Sequence, residues 1–387
     1  MTTLTELFVG NKYATIQREE ITNLLKEFTW RTKETFEEEL SSLDGTNLGT
    51  FALWVAETVI SDIPDLQKDS SEFLRLRAIY RLFVNLSAFS KTFVNSTSTL
   101  KLEHWIALLR IEPFIEETAY AICSHATSIF VLNLLNERLA SFISDIANIS
   151  NNHQSKGVFH SFNGAFVNLM ANCGCFLSEC FQSLDHDIVT YILSLAAKSF
   201  DQTGYDDLEP PIMHLNNTFF VLSLLERIVY EDFKNEHSLD RIKYILDILS
   251  FCALKKEELG KAMHEDTRSI TLCGLILEKV FFIEDKESSK ISKNLEELLK
   301  PNSDLAGYEL KIKCLILITN CSTQSPKNQE MGAANNLLYY VLKCAGGSKN
   351  LQWPLLKEWS VLAINSLTKG CQANQKILDA TINNNIL

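Results

Sequence analysis

Glycine and proline are scarce in this chain, whose 387 residues include 14 Gly and 7 Pro. Folds built from short strands need these residues at regular intervals, because their tight turns depend on them. The scarcity therefore favours long helices joined by few tight turns. Apolar residues make up 46% of the chain, which is enough to form a large core and excludes a disordered protein.

Positive charge is also in short supply. Lys and Arg number 36 against 48 Asp and Glu, a formal net charge of −12. No long basic run offsets this balance locally, and the densest pair in the middle of the chain is Lys255-Lys256. Phosphate backbones and anionic lipid surfaces are negative and would be repelled. The sequence therefore predicts no nucleic-acid partner and no membrane partner, and it favours a neutral or basic protein segment.

The chain has no long apolar run, and its start has no secretory pattern. The most apolar stretch, Leu272–Ile283, is interrupted by Glu278 and Lys279 and is shorter than the roughly 18 residues that span a bilayer. The first residues lack a basic segment followed by an apolar one. The ten Cys lie inside apolar runs, as reduced thiols that act as small core residues do. These features predict a protein of the cytosol or nucleus.

Motifs of catalysis and metal binding are missing as well. There is no His-Glu-x-x-His, Gly-x-Ser-x-Gly or Walker-type pattern. Cys173, Cys175 and Cys180 do not have the spacing of a standard zinc site, and on a single helix Cys175 would point away from the other two. A catalytic set assembled from distant residues stays open as a minor alternative. The sequence predicts no enzyme, no metal and no cofactor.

The chain does contain helical periodicity almost throughout. Within residues 239–253, for example, apolar side chains recur on one stripe of a helix. Helix boundaries fit this pattern. Pro326 and Pro354 stand where a first helical residue is expected, and Gly370 stands where a helix ends.

A short motif containing Asn recurs along the chain. Phe83–Leu86 returns as Phe166–Leu169, and similar residues occupy Ile318–Cys321 and Ala363–Leu367. The spacings are 83, 152 and 45 residues. For a period of about 40–45 residues, the first is close to two periods, the second is under four periods and the third is one period. This is the period of armadillo and HEAT repeats. Each such repeat covers its apolar face by stacking on its neighbours, which predicts an elongated groove.

Asn320 and Asn365 lie in the last two repeats and are the sharpest candidates for function. An Asn on the inner helix of an armadillo repeat can hydrogen-bond the backbone of an extended peptide. A structural Asn would instead cap or bridge neighbouring helices. Both interpretations stay open at this point. If the two side chains form a row, they suit an extended segment whose backbone amides also repeat.

Two tryptophans flank the start of the last long helix. Trp359 falls on one stripe with Leu355 and Leu362, so we expect it to pack in the core of the C-terminal repeats. Trp353, just before Pro354, is either a hydrophobic staple or a hot spot for a partner. It is therefore the third candidate partner-binding residue.

The segment Trp353–Gln375, WPLLKEWSVLAINSLTKGCQANQ, resembles the C-terminal signature of the ataxin-10 family. The shared features are a Pro-led helix, Glu-Trp, a run similar to Ala-Ile-Arg-Asn-Leu, and Asn-Gln. Ile364 stands where that family usually has Arg. The preceding repeat, with Asn320 and the pair Asn328-Gln329, is similar to the family's penultimate repeat.

The resemblance implies an armadillo-like cytoplasmic protein without enzymatic activity. It further implies a role in signalling and cytokinesis through partner proteins. It also implies a longer stretch after the signature than the one that ends at Leu387.

Together these observations predict an all-α, armadillo/HEAT-like helical-repeat solenoid. Divergent repeats are expected over residues 1–300, and a C-terminal ataxin-10-like module, continuous with them, over residues 301–387. The predicted function is a non-enzymatic cytoplasmic protein-binding scaffold that uses Asn320, Asn365 and Trp353. The alternative is an importin-like transport adaptor that carries protein cargo. Such adaptors usually show a long, regular Asn/Trp ladder and a basic tail, and this sequence has neither.

Overall fold

Nearly all of the described residues lie in helices. The structure is a computed structural model that describes residues 4–9, 12–27, 33–200, 213–231, 238–255, 258–284, 303–346 and 354–383. These residues contain 21 α-helices and no strand. The all-α prediction, made from the scarcity of Gly and Pro and from the helical periodicity, is confirmed.

The chain divides into two compact units, Met1–Cys173 and Gly174–Leu387. The predicted boundary between residues 300 and 301 falls outside the described residues and stays a prediction. The helices of the first unit are α1 (Leu4–Val9), α2 (Arg18–Glu27), α3 (Lys33–Ser41), α4 (Gly45–Asp62), α5 (Ser71–Phe89), α6 (Lys91–Ser96), α7 (Leu102–Leu109), α8 (Ile115–Leu132), α9 (Leu139–Asn152) and α10 (Lys156–Asn172).

The second unit contains the remaining described helices. They are α11 (Phe176–Ser183), α12 (His186–Phe200), α13 (Leu215–Tyr230), α14 (Ser238–Leu254), α15 (Glu258–Glu265), α16 (Arg268–Glu284), α17 (Ser303–Ser322), α18 (Pro326–Ala334), α19 (Leu337–Gly346), α20 (Pro354–Thr368) and α21 (Gln372–Asn383). Within the described ranges, no helix is both long enough and apolar enough to cross a bilayer.

In the first unit, α5, α8 and α10 pack side by side. The hydroxyls of Tyr80 on α5 and Thr118 on α8 lie 2.8 Å apart across 38 residues of sequence. Asn168 on α10 donates to the Cys123 backbone oxygen on α8 at 3.4 Å, across 45 residues. Asn85 on α5 and Asn168 on α10, which share the repeated motif, therefore lie on helices that are separated by one helix, α8. This arrangement places them two repeats apart, as the period of about 40–45 residues requires.

The core of the first unit is aromatic and encloses one histidine. His125 is 1% exposed and packs against Trp105, with ring centroids 5.1 Å apart. Its Nε2 lies 2.8 Å from Ser87 Oγ and its Nδ1 lies 3.0 Å from Thr97 Oγ1. Burial lowers the pKa of His125 to about 3, so the ring is neutral near pH 7. Both ring nitrogens already have partners, which makes this a structural histidine.

Among the described helices of the second unit, a triplet recurs. Each triplet consists of a short helix, a longer helix and the longest helix, in that order. In the first triplet, α15, α16 and α17 have 8, 17 and 20 residues. In the second triplet, α18, α19 and α20 have 9, 10 and 15 residues. The long helices lie side by side. Lys313 Nζ on α17 is 2.6 Å from Asp247 on α14, and Thr323 Oγ1 is 3.2 Å from Ser366 Oγ on α20. The helical-repeat organisation is thereby confirmed, since armadillo and HEAT repeats contain two or three helices each.

The predicted boundaries of the last helices are confirmed. Helix α18 begins at Pro326, where the preceding Ser325 Oγ accepts a hydrogen bond from Asn328 N at 3.4 Å. Helix α20 begins at Pro354. Gly370 follows α20 with φ +85°, a conformation that side chains other than glycine rarely adopt. Local chemistry therefore marks the starts of α18 and α20 and the end of α20.

The prediction for Trp359 is wrong in its choice of helix face. Leu355 and Leu362 are 51% and 46% exposed, and Trp359 on the same stripe is half-buried. Helix α20 packs instead through the neighbouring stripe that contains Leu356 and Ala363, which are 7% and 0% exposed. Both stripes are apolar, so periodicity could not choose between them. The choice was made by the positions of α17 and α19, the helices against which α20 packs.

Eight of the ten cysteines are buried, as predicted for thiols that act as core residues. Burial raises the pKa of the Cys252 thiol to about 12 and that of the half-buried Cys123 thiol to about 11. Cys175 is exposed. The single helix assumed for the triplet at Cys173, Cys175 and Cys180 is not present, because α10 ends at Asn172 and α11 begins at Phe176.

These environments predict which thiol reacts first. In the native protein, a disulfide reagent such as Ellman's reagent should label Cys175 rapidly, because it is the exposed thiol. The buried thiols should react only on unfolding, and Cys175→Ser should remove the fast phase. The control is Cys371→Ser, which deletes a buried thiol and should keep the fast phase. An unchanged fast phase in the Cys175→Ser protein would contradict the assignment.

Candidate partner-binding surface

One stripe of α17, together with the residue that follows the helix, faces outward from Glu309 to Thr323. Glu309, Lys313, Ile316, Asn320 and Thr323 recur every three or four positions, and each is at least partly exposed. This spacing keeps the five side chains on one face of the helix. Together with the neighbouring faces of α14 and α20, they form what we call the long-helix surface.

Charges on the long-helix surface are paired but unequal in number. Lys243 Nζ lies 3.1 Å from Glu309 and 3.4 Å from Asp240, and Lys313 Nζ lies 2.6 Å from Asp247. Partial burial acts to lower the pKa of Lys243, but hydrogen bonds and charge from Glu309 and Asp240 outweigh it, so that pKa is raised. Three carboxylates against two ammonium groups leave a negative excess, which suits a neutral or basic segment.

Asn320 bridges two neighbouring long helices. Its Nδ2 donates to the backbone oxygen of Ser250 on α14 at 3.1 Å, across 70 residues of sequence. This contact corresponds to the structural alternative for the recurrent Asn. The side chain nevertheless stays partly exposed, and no described residue donates to its Oδ1. That oxygen can therefore accept a hydrogen bond from a bound backbone N–H.

The pair Asn-Gln, which occurs in both C-terminal repeats, caps the preceding long helix. Asn328 Nδ2 donates to the Cys321 oxygen at 3.0 Å, and Asn374 Nδ2 donates to the Leu367 oxygen at 2.9 Å, each seven residues back. Helices leave their last four carbonyls without a partner inside the helix. The side-chain amides supply the missing donors, so the same cap is built twice.

The capping asparagines also join successive repeats. Asn328 Nδ2 donates to the His264 oxygen at 3.1 Å, and Asn374 Nδ2 donates to the Gln329 oxygen at 2.8 Å. Both asparagines are fully buried. Sequence reasoning noted the recurrence of Asn-Gln but assigned it no role, and the repetition itself was the signal that could have revealed the cap.

These caps define which positions of the two repeats correspond. Cys321 and Leu367 accept equivalent bonds, so Asn320 corresponds to Ser366 and not to Asn365. Asn365 is displaced by one residue, about 100° around the helix, and is exposed. The two asparagines predicted to form a ladder thus share the outward side of neighbouring helices but not equivalent positions. Their role in binding stays a prediction.

Trp353, the third candidate, lies outside the described residues.

Among the described residues, no group of three His, Cys, Asp or Glu side chains is arranged to hold a metal ion. The long-helix surface therefore offers hydrogen-bonding groups, paired charges and half-exposed apolar side chains, which are the features of a protein-binding face.

The C-terminal repeats that carry this surface also match a known protein family. Residues 310–386 match the family model of the spinocerebellar ataxia type 10 protein domain. The predicted resemblance to the ataxin-10 family is confirmed for this domain, which contains most of α17 and all of α18–α21.

Other likenesses are distant. No curated protein sequence matches the chain. Among solved structures, a designed armadillo repeat protein in complex with the peptide (KR)4 is similar over 83% of this chain and 99% of its own, with 12% identity and a TM-score of 0.31. That likeness is too distant to transfer the peptide-binding property of the designed protein to this chain.

Proposed function

We propose that this chain is a non-enzymatic, cytoplasmic protein-binding scaffold of the ataxin-10 type. The long-helix surface takes an extended, neutral or basic segment of a partner protein. Through such partners the scaffold acts in signalling and cytokinesis. The match of residues 310–386 to the ataxin-10-type domain supports the class of function.

One observation carries the choice of surface. Asn320 is held in place by its bond to Ser250, at 3.1 Å, while its Oδ1 stays without a donor among the described residues. A side chain that is already ordered loses little conformational entropy when a ligand binds. Asn365 and the half-buried Trp359 extend the same surface onto the next long helix. An extended backbone crossing α17 and α20 would meet Asn320 and Trp359 first. It would reach Asn365 only where it continues around α20, because Trp359 and Asn365 are about 120° apart on that helix.

The test is a peptide selection followed by mutation. Peptides selected from a random display library against the purified chain should bind the double variant Asn320→Ala, Asn365→Ala about thirtyfold more weakly, since each of the two lost hydrogen bonds contributes about 1 kcal/mol. The variant should melt almost normally, because Ser250 lies within α14, where its carbonyl has a partner inside the helix.

The matched control is Asn151→Ala, which removes an exposed Asn from α9 in the first unit and should leave binding unchanged. Full binding of every selected peptide by the double variant would reject the long-helix surface. A selection that yields no peptide would reject the proposal of a peptide-binding scaffold.

A further inference from the structure

A groove lies in the first unit between α5 and α8. It presents arginines, whereas the long-helix surface has an excess of carboxylates. Its volume is about 500 Å³. We call it the α5–α8 groove. Its lining includes Leu25 from α2, Arg77, Arg81 and Asn85 from α5, and Glu116, Glu117 and Tyr120 from α8.

Two arginines in the α5–α8 groove converge on a single carboxylate oxygen. Arg77 donates to Glu117 Oε1 from Nε at 3.3 Å and from Nη2 at 3.2 Å. Arg81 donates to the same oxygen from Nε at 3.2 Å. The Glu117 side chain is only 12% exposed, so it is a fixed anchor that orients both guanidinium groups.

Positive charge is in excess around the shared oxygen, although the groove as a whole is lined by two arginines and two carboxylates. Two guanidinium groups, one turn apart on α5, face one anion, and like charges at this spacing repel each other. The other acidic residue at the rim, Glu116, leans toward α10, where its Oε1 lies so close to Gly157 that an added Cβ would collide with it. A further carboxylate in the groove would therefore relieve the repulsion between Arg77 and Arg81.

The arginines are placed to bind such a carboxylate. Arg81 is 55% exposed and Arg77 is 37% exposed. Only the Nε of Arg81 bonds Glu117, and no described residue accepts a hydrogen bond from its two terminal Nη groups. A guanidinium presents paired donors that match a carboxylate in a bidentate arrangement, and Glu117 has already restricted its rotation.

The remaining lining suits a polypeptide better than a small anion. Asn85, four residues after Arg81, is half-buried and can bond a backbone amide with both its donor and its acceptor. Tyr120 is 52% exposed on the opposite side, and Leu25 adds an apolar contact. Charged, amide and aromatic groups thus follow one another along the groove.

We propose that the α5–α8 groove binds an acidic extended segment of a partner protein. An Asp or Glu carboxylate of that segment pairs with Arg81 and Arg77, and the adjoining backbone bonds Asn85. This site goes beyond the proposed function of the long-helix surface. It lies in the other unit and selects the opposite charge, so one scaffold can hold an acidic and a basic segment at separate places.

The test uses two labelled octapeptides with the full chain. One alternates Glu and Ser, and the other alternates Gln and Ser. Fluorescence anisotropy should show binding of the Glu peptide but not of the Gln peptide. Arg81→Gln should weaken that binding by about tenfold or more, because it removes a charge-assisted bidentate contact. Its fold should persist, since Arg77 still pairs with Glu117.

The matched control is Arg110→Gln, which makes the same charge change at an exposed position at the end of α7 and should leave binding unchanged. The double variant Asn320→Ala, Asn365→Ala should also bind the Glu peptide normally, which separates this proposal from the proposed function. The proposal is overturned if the wild type binds neither peptide, if both peptides bind equally, or if Arg81→Gln and Arg110→Gln behave alike. Displacement by inorganic phosphate beyond that caused by sodium chloride of equal ionic strength would also overturn it, by showing a small-anion site.

Discussion

Replacing Asn328 with aspartate should lower the free energy of unfolding of the second unit by about 3–5 kcal/mol, the cost of an uncompensated buried charge. Asn328 is fully buried, and its Nδ2 lies 3.0 Å from the Cys321 oxygen and 3.1 Å from the His264 oxygen. Aspartate has nearly the same shape, but it places an oxygen against these two oxygens. The exchange therefore removes two hydrogen bonds and adds repulsion without opening a cavity.

The matched control is Asn365→Asp, which makes the same chemical change at an exposed position on α20. It should alter stability by less than about 0.5 kcal/mol, as surface substitutions usually do. Urea unfolding would measure both effects, and hydrogen exchange would locate the first in α17–α21. Similar unfolding curves for the two variants would show that the Asn328 cap does not hold the repeats together.

Acidification from pH 7 to pH 5 should lower stability by about 2 kcal/mol through His125 alone. Burial lowers the pKa of this histidine from 6.5 to about 3 in the folded chain. Between these two values the unfolded chain binds a proton that the folded chain does not. The stabilisation is therefore fully present above pH 6.5 and is lost as the pH falls toward 3.

His125→Gln isolates this effect from other groups. The variant should be less stable than the wild type at pH 7, because its side chain fills the aromatic core less well. Its loss of stability between pH 7 and pH 5 should be smaller by about 2 kcal/mol, since the titrating group is gone. His160→Gln, at an exposed position on α10, should keep the wild-type pH dependence. Equal pH dependence in all three proteins would mean that His125 is protonated without unfolding.

The candidate site could be predicted only in part. Sequence reasoning found the outward asparagines Asn320 and Asn365, because a recurring motif marks them. It could not show that Asn320 bonds Ser250, since that contact joins residues 70 positions apart. It also missed the convergence of Arg77 and Arg81 on Glu117, which are separated by 40 and 36 positions. No local pattern reports which residues of neighbouring repeats meet.

The sequence by itself determined the helices, their ends and their period. Scarce Gly and Pro, stripes of apolar residues, Pro326 and Pro354 at helix starts and Gly370 after a helix end all act within a few residues, so they can be read locally. The family likeness of residues 310–386 was also readable, because it rests on residue identity.

Only the tertiary structure decided which apolar stripe of a helix is buried and which polar groups pair. Trp359 and Leu356 lie on adjacent stripes of α20, and the packing of α17 and α19 buries the stripe of Leu356. The register between repeats then placed Ser366, and not Asn365, opposite Thr323. A one-residue difference in register rotates a side chain by about 100°. Partners across repeats are therefore set by how whole helices pack together, which no local stretch of sequence encodes.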